Sequence, residues 1–187
     1  MKVLYLFFLS IFLAFTGCSS DSVTGTVESD LLVESFNLNG SQKTVKMVPF
    51  KGHGSGVGYV DLTRTDCPEG TVPFSGEATG VFTHGGKSSV SFSHCSYFIL
   101  DPQNLTYTDG IVEIKTANGD LIYSEYTGRL TGPDTFINSN MIIDGTGRFD
   151  SASGSYIEEG SFNFIDEETF EFDIYLDGEI SSIGSNK

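Results

Sequence analysis

The stretch from Thr169 to Ile180 constrains the fold of this chain more than any other. Phe170, Phe172, Ile174, Leu176 and Ile180 share one side of an extended segment, and Glu171, Asp173, Asp177 and Glu179 share the other. A period of two with one apolar and one charged face describes a strand in an antiparallel sheet, buried on one side and wet on the other. Burying five such side chains contributes about 1.5–3 kcal/mol each before conformational entropy is set against it.

The same period recurs upstream. Val72–Thr83 alternates Val72, Phe74, Gly76, Ala78, Gly80 and Phe82 against a second set, and Lys87–Leu100, Ile111–Thr116, Leu121–Leu130, Phe136–Asp144 and Ser155–Ile165 read as further strands. Val45–Phe50 and Gly58–Leu62 read as short strands flanking a glycine-rich loop, Gly52–Gly58. Asn118-Gly119 is the strongest hairpin signal and suits a type I′ turn. No stretch holds a 3.6-residue period over ten residues. About eight antiparallel strands with short turns remove their exposed edges by closing on themselves. The expected fold is therefore all-β, an eight-stranded up-and-down barrel, with a two-sheet sandwich as the alternative.

Charge narrows the partners. Among 187 residues, 10 are Lys or Arg and 25 are Asp or Glu, a formal net charge of −15. Such a surface repels phosphate backbones, so nucleic acid is not an expected partner.

The first residues carry an address. Lys2 precedes an apolar run from Val3 to Phe15, too short to span a bilayer and of the length of a signal-peptide core. Phe15-Thr16-Gly17-Cys18 resembles the lipobox of bacterial lipoproteins. That resemblance implies cleavage after Gly17 and lipidation of Cys18, with two or three acyl chains holding the protein durably to a membrane. Residues 1–17 are then the signal peptide, 18–44 a lipidated tether with one early strand at Leu31–Leu38, and 45–187 the barrel domain. Ser19 rather than Asp follows Cys18, which by the same resemblance points to the outer membrane of a bacterial envelope.

Export leaves Cys67 and Cys95 as an even pair in an oxidising compartment, which favours a disulfide; two unpaired thiols are the alternative. His53, His84, His94 and the two cysteines show no C-x-x-C or H-x-x-x-H spacing, so no metal and no cofactor are expected. His94 and Cys95 are strand neighbours that point to opposite faces, which disqualifies them as a nucleophile–base pair.

Three motifs occur in order: Gly76-Glu-Ala-Thr-Gly-Val-Phe-Thr-His-Gly-Gly-Lys87, Ala117-Asn-Gly-Asp120, and Asp144-Gly-Thr-Gly-Arg-Phe149 followed by Ala152-Ser-Gly154. Together they resemble bacterial exported proteins of the allene oxide cyclase-like barrel group, and the last is similar to plant dirigent proteins. The resemblance spans Gly58 to Ile180 and implies the closed barrel. It also implies a cavity that confines and steers a small apolar molecule, with acidic residues inside in the dirigent case. Glu77 and His84, beside the first motif, are the candidate cavity or ligand residues, although His84 before two glycines also reads as a turn residue bonding backbone. Tyr123, Glu125 and Tyr126 read as rim or solvent groups on a central strand. Arg148 is expected to bond loop carbonyls, and Phe149 to plug a barrel end. Asp166-Glu167-Glu168 reads as a solvated hairpin tip. No catalytic residue is assigned.

The expectation is a membrane-anchored envelope lipoprotein whose barrel is a non-catalytic binding or interaction module for a small apolar ligand or an envelope protein. A cyclase- or isomerase-type enzyme is the first alternative, and it predicts a cavity of several hundred Å³ with one or two buried carboxylates. A structural surface spacer is the second.

Overall fold

A computed structural model describes residues 46–181 of the chain. The segments expected as signal peptide (1–17), lipidated tether (18–44) and early strand (Leu31–Leu38), with Cys18, lie outside the described residues. Eight antiparallel strands follow one another around a closed barrel: β1 (Met47–Val60), β2 (Val72–Phe82), β3 (Gly86–Ser96), β4 (Thr106–Lys115), β5 (Leu121–Leu130), β6 (Thr135–Gly145), β7 (Gly154–Phe164) and β8 (Thr169–Ser181). Closure comes from β1 and β8, which pair from Met47↔Ser181 to Tyr59↔Thr169. That continuous seam makes the molecule a barrel and not a sandwich.

Gly52–Gly58 is not a loop. It is the middle of β1, paired on one side with β2 and on the other with β8. Gly52, Gly54, Gly56 and Gly58 continue the inward alternation of Val48 and Phe50, with Lys51, His53, Ser55 and Val57 facing out. A Cβ at Gly56 would strike the Ala78 backbone and side chain, and one at Gly58 would enter the Phe170 ring. The missing side chains let neighbouring strands and rings press against β1, so the glycines mark close approach rather than a turn.

Two further boundaries shift. β4 starts at Thr106 rather than Ile111, because Asp109-Gly110 is a bulge: Asp109 has φ 52° and the register with β5 slips between Tyr107 and Gly110. β3 ends at Ser96, after which residues 97–100 turn. The Asn118-Gly119 hairpin forms, but not as type I′. Only Gly119 has positive φ (89°), and its N–H donates to Thr116 O while Thr116 N–H donates to Asp120 O. This is a three-residue loop with a left-handed glycine at the bulge position.

The two barrel ends differ. At the end carrying the β2–β3, β4–β5 and β6–β7 connections, Phe50, Phe82, Ile114, Ile122, Ile142, Phe149 and Ile180 are all buried. Phe149 plugs this end, and Arg148 beside it donates to Asp120, the His84 carbonyl and Asn118 Oδ1, clasping three connections. Asp166, in the β7–β8 turn at the other end, accepts the Glu168 and Thr169 amides through Oδ1. Outside, β8 presents Glu171, Asp173, Asp177 and Glu179 to solvent.

Candidate functional site

The other end of the barrel is hollow. A cavity of about 70 Å³ lies there, walled by Phe74, Phe92, Phe136, Phe162, Phe170 and Phe172, with Val90, Val112 and Ile174 deeper. Its position follows from the alternation: these are the inward residues of β2, β3, β4, β6, β7 and β8 near the mouth. Many rings meet edge to face, as do Phe92 with Phe172 at 5.3 Å between centroids and Phe74 with Phe170 at 5.8 Å.

Five polar side chains enter this apolar space from consecutive strands: His94 on β3, Tyr107 on β4, Tyr126 on β5, Asn138 on β6 and Glu158 on β7. The Tyr107 hydroxyl donates to Asn138 Oδ1, and Asn138 Nδ2 donates to Glu158 Oε1 at 2.7 Å. Tyr107 and Asn138 are two strands apart and meet only because Gly128, inward on β5 between them, has no side chain. A Cβ there would overlap both. His94 Nδ1 shares a hydrogen bond with the Tyr126 hydroxyl at 2.7 Å, and its ring stacks on Tyr107 at 4.4 Å.

Burial sets the protonation of this group. Glu158 is 9% exposed and, among the described residues, has no cation at ion-pair distance, so desolvation pushes its carboxyl up to about 7, with the Asn138 hydrogen bond opposing. His94 faces the cavity and is half-buried, yet it sits among rings. Desolvation, helped by the Arg64 charge, holds its pKa down to about 3. Burial, together with the Glu158 charge, pushes the Tyr107, Tyr126 and Tyr156 phenols up. One layer towards the closed end, both amide atoms of Asn140 are buried with no hydrogen-bond partner among the described residues, and Ser124 Oγ and Tyr156 Oη are buried beside each other. Groups of this kind are ordinarily satisfied by ordered water.

The mouth is braced. Cys67 and Cys95 form a disulfide that ties the β1–β2 connection to the end of β3. In that connection Arg64 pairs with Asp66 at 2.7 Å and reaches the Phe74 and His94 carbonyls at 3.4 Å.

The residues singled out from the sequence fall elsewhere. Glu77 is exposed on the outer face of β2, and His84 is exposed in the β2–β3 turn at the closed end, with φ 65° and Nε2 at 3.1 Å from the Pro49 carbonyl. Neither lines the cavity. Of the β5 group, Glu125 is exposed, Tyr123 half-buried, and Tyr126, read as a rim or solvent group, is instead buried in the cavity wall. Glu158, Asn138 and Tyr107 were not singled out. One signal was present: Glu158 shares its parity with Tyr156, Phe162 and Phe164, whereas Ile157 falls on the opposite, outward set.

No family model matches the sequence, and no curated protein matches it. Among solved structures the chain is similar to the pterocarpan synthase dirigent protein PsPTS1, with a TM-score of 0.49 at 10% identity over 74% of this chain and 96% of that one. It is also similar to the pterocarpan synthase dirigent protein GePTS1, with a TM-score of 0.44 at 11% identity over 74% of this chain and 87% of that one. At these values the likeness adds nothing to what the barrel's own geometry establishes.

Proposed function

We propose that this protein is a lipid-anchored lipoprotein of the bacterial envelope, held to the outer membrane through Cys18, whose barrel binds the slender end of a small, largely apolar molecule. The observation that carries the binding reading is the cavity itself: aromatic walls interrupted by two hydrogen-bonded groups, the Tyr107–Asn138–Glu158 string and the His94–Tyr126 pair, behind an open mouth. A few placed polar groups in an apolar hollow give orientation and selectivity. A surface spacer has no use for such a hollow.

Volume separates binding from confinement catalysis. Sites that enclose a whole small molecule occupy roughly 300–1,000 Å³. The 70 Å³ here is well below that range and admits only the end of a chain, with the remainder outside. Glu158 has the raised pKa of a general acid, but a cyclase must hold both reacting ends of its substrate at once, which favours the non-catalytic reading.

The test is a titration of the full chain in non-ionic detergent with n-hexanol, followed by NMR shifts of the phenylalanine ring protons. Saturable shifts are expected, and Val112→Phe, which fills the cavity from β4, is expected to abolish them while far-UV circular dichroism stays that of the parent. Absence of saturable shifts, or shifts indifferent to Val112→Phe in a folded variant, overturns the reading.

A further inference from the structure

Glu158 presents a problem that the cavity's apolar character sharpens. A buried carboxyl group is ordinarily paired with a cation or fully hydrogen-bonded. Glu158 has one bond, from Asn138 to Oε1, and none of the three ion pairs among the described residues involves it. Among the described residues, no Lys or Arg lines the cavity. The walls are ring faces, which attract positive charge. The Tyr107 oxygen, having donated its hydrogen to Asn138, keeps lone pairs that can accept another.

A second, independent observation concerns the approach. The four connections at the mouth, 61–71, 97–105, 131–134 and 165–168, carry eight acidic residues (Asp61, Asp66, Glu69, Asp101, Asp134, Asp166, Glu167, Glu168) against one basic residue, Arg64. The three connections at the closed end carry Asp120 and Asp150 against Arg148. Negative charge is concentrated on the rim of the hollow, where it draws cations in and turns anions away.

We infer that the cavity receives the ammonium end of a slender primary amine, with Glu158 as its counter-ion, the rings as its wall and its alkyl or aryl remainder leaving through the mouth. The inference rests on the binding reading proposed above and names the chemistry of what is bound. A primary ammonium head suits 70 Å³. The amine enters as its cation; where Glu158 is protonated in the empty barrel, its proton passes to solvent as the ion pair forms.

That proton makes the binding pH-dependent. An alkylammonium keeps its charge to about pH 10, like a lysine side chain. The other groups facing Glu158 do not titrate between pH 5.5 and 8. Asn138 and Asn140 come from β6, and Leu176 and Gly178 from β8. Tyr107, Tyr126 and Tyr156 have raised phenols, and His94 is held to about 3. Arg64 in the β1–β2 connection stays charged throughout.

The experiment compares n-hexylamine with n-hexanol on the full chain in non-ionic detergent, at pH 8 and pH 5.5. At pH 8 the amine is expected to bind at least about tenfold more tightly, and its affinity to fall about tenfold per pH unit below 7 while that of hexanol stays level. Glu158→Gln, which preserves size and can still accept from Asn138, is expected to weaken the amine by about 30-fold or more and so to erase its preference over hexanol. Hexanol binding as tightly as hexylamine at pH 8, or an amine preference that survives Glu158→Gln, overturns the amine assignment and leaves the binding reading standing. Failure of both ligands to shift the ring protons overturns both. The parent's pH profile carries the test even where the variant does not fold.

Discussion

Glu158 and His94 face the same hollow and titrate in opposite senses. Glu158 rises from 4.5 to about 7, so the folded chain holds its proton more tightly than the unfolded chain does. Its contribution to stability is greatest below pH 4.5 and is lost as the pH rises to 7, on the order of 3 kcal/mol in all. His94 falls from 6.5 to about 3, so its neutral form is favoured, and stability present above pH 6.5 is lost as the pH drops towards 3. Between pH 4.5 and 6.5 the folded chain carries its proton on Glu158 and the unfolded chain carries it on His94. Net uptake is close to zero, and the parent's unfolding free energy is expected to be level across that window. Glu158→Gln removes one side of the balance: stability is then expected to fall about 1.4 kcal/mol per pH unit on acidification from 6.5, and at pH 8 to exceed the parent's by about 3 kcal/mol. Urea unfolding at half-unit pH intervals checks both; equal slopes in parent and variant would refute the pairing. Gly128 gives the second prediction at this scale. Gly128→Ala places a methyl group where Tyr107 and Asn138 meet, with an expected loss of about 1–3 kcal/mol and loss of the downfield Tyr107 hydroxyl resonance.

At the scale of the element, the strands were legible and their irregularities were not. β5 has the bounds read from the sequence, Leu121–Leu130, because its alternation is unbroken and turn residues flank it. β1 was misread because glycine is at once a turn signal and a close-packing residue, and only the partners decide which. Its neighbours, Phe82 and Phe170, come from strands 30 and 112 residues further on, counted from Gly52 and Gly58. The β4 bulge has the same origin: Asp109-Gly110 reads locally as a turn, and pairing with β3 and β5 holds it within the sheet. The Cys67–Cys95 disulfide joins the β1–β2 connection to β3 across 28 residues. Replacing both cysteines with serine is expected to cost about 3–4 kcal/mol, measured by urea unfolding under oxidising conditions. An unchanged midpoint would mean that the mouth connection is held by Arg64 and its carbonyl bonds alone.

At the scale of the whole molecule, the barrel has one sealed and one open end, and the charge on its connections follows the same division. The acidic rim, the hollow behind it and the uncompensated Glu158 lie on one axis. Residues 18–44 are proposed as the tether of a lipid anchor at Cys18, and that proposal is tested separately. Cys18→Ser is expected to abolish incorporation of radiolabelled palmitate and to release the protein from the membrane fraction when the full chain is expressed in a double-membraned bacterial host. Persistence of the variant in washed membranes would argue against acylation as the anchor.

The sequence by itself determined the all-β class, the near-complete set of strands, the antiparallel pairing and the even pair of cysteines, Cys67 and Cys95. Each is written in local periodicity or in residue counts. Only the tertiary structure decided that Glu158, Asn138 and Tyr107 form a site, while Glu77 and His84 stand outside it. The physical reason is that a barrel turns parity into position: every second residue faces in, but which inward residues meet depends on strand stagger and on gaps such as Gly128. Glu158 belongs to no local motif, and its significance comes from having no cation among the residues that closure brings around it.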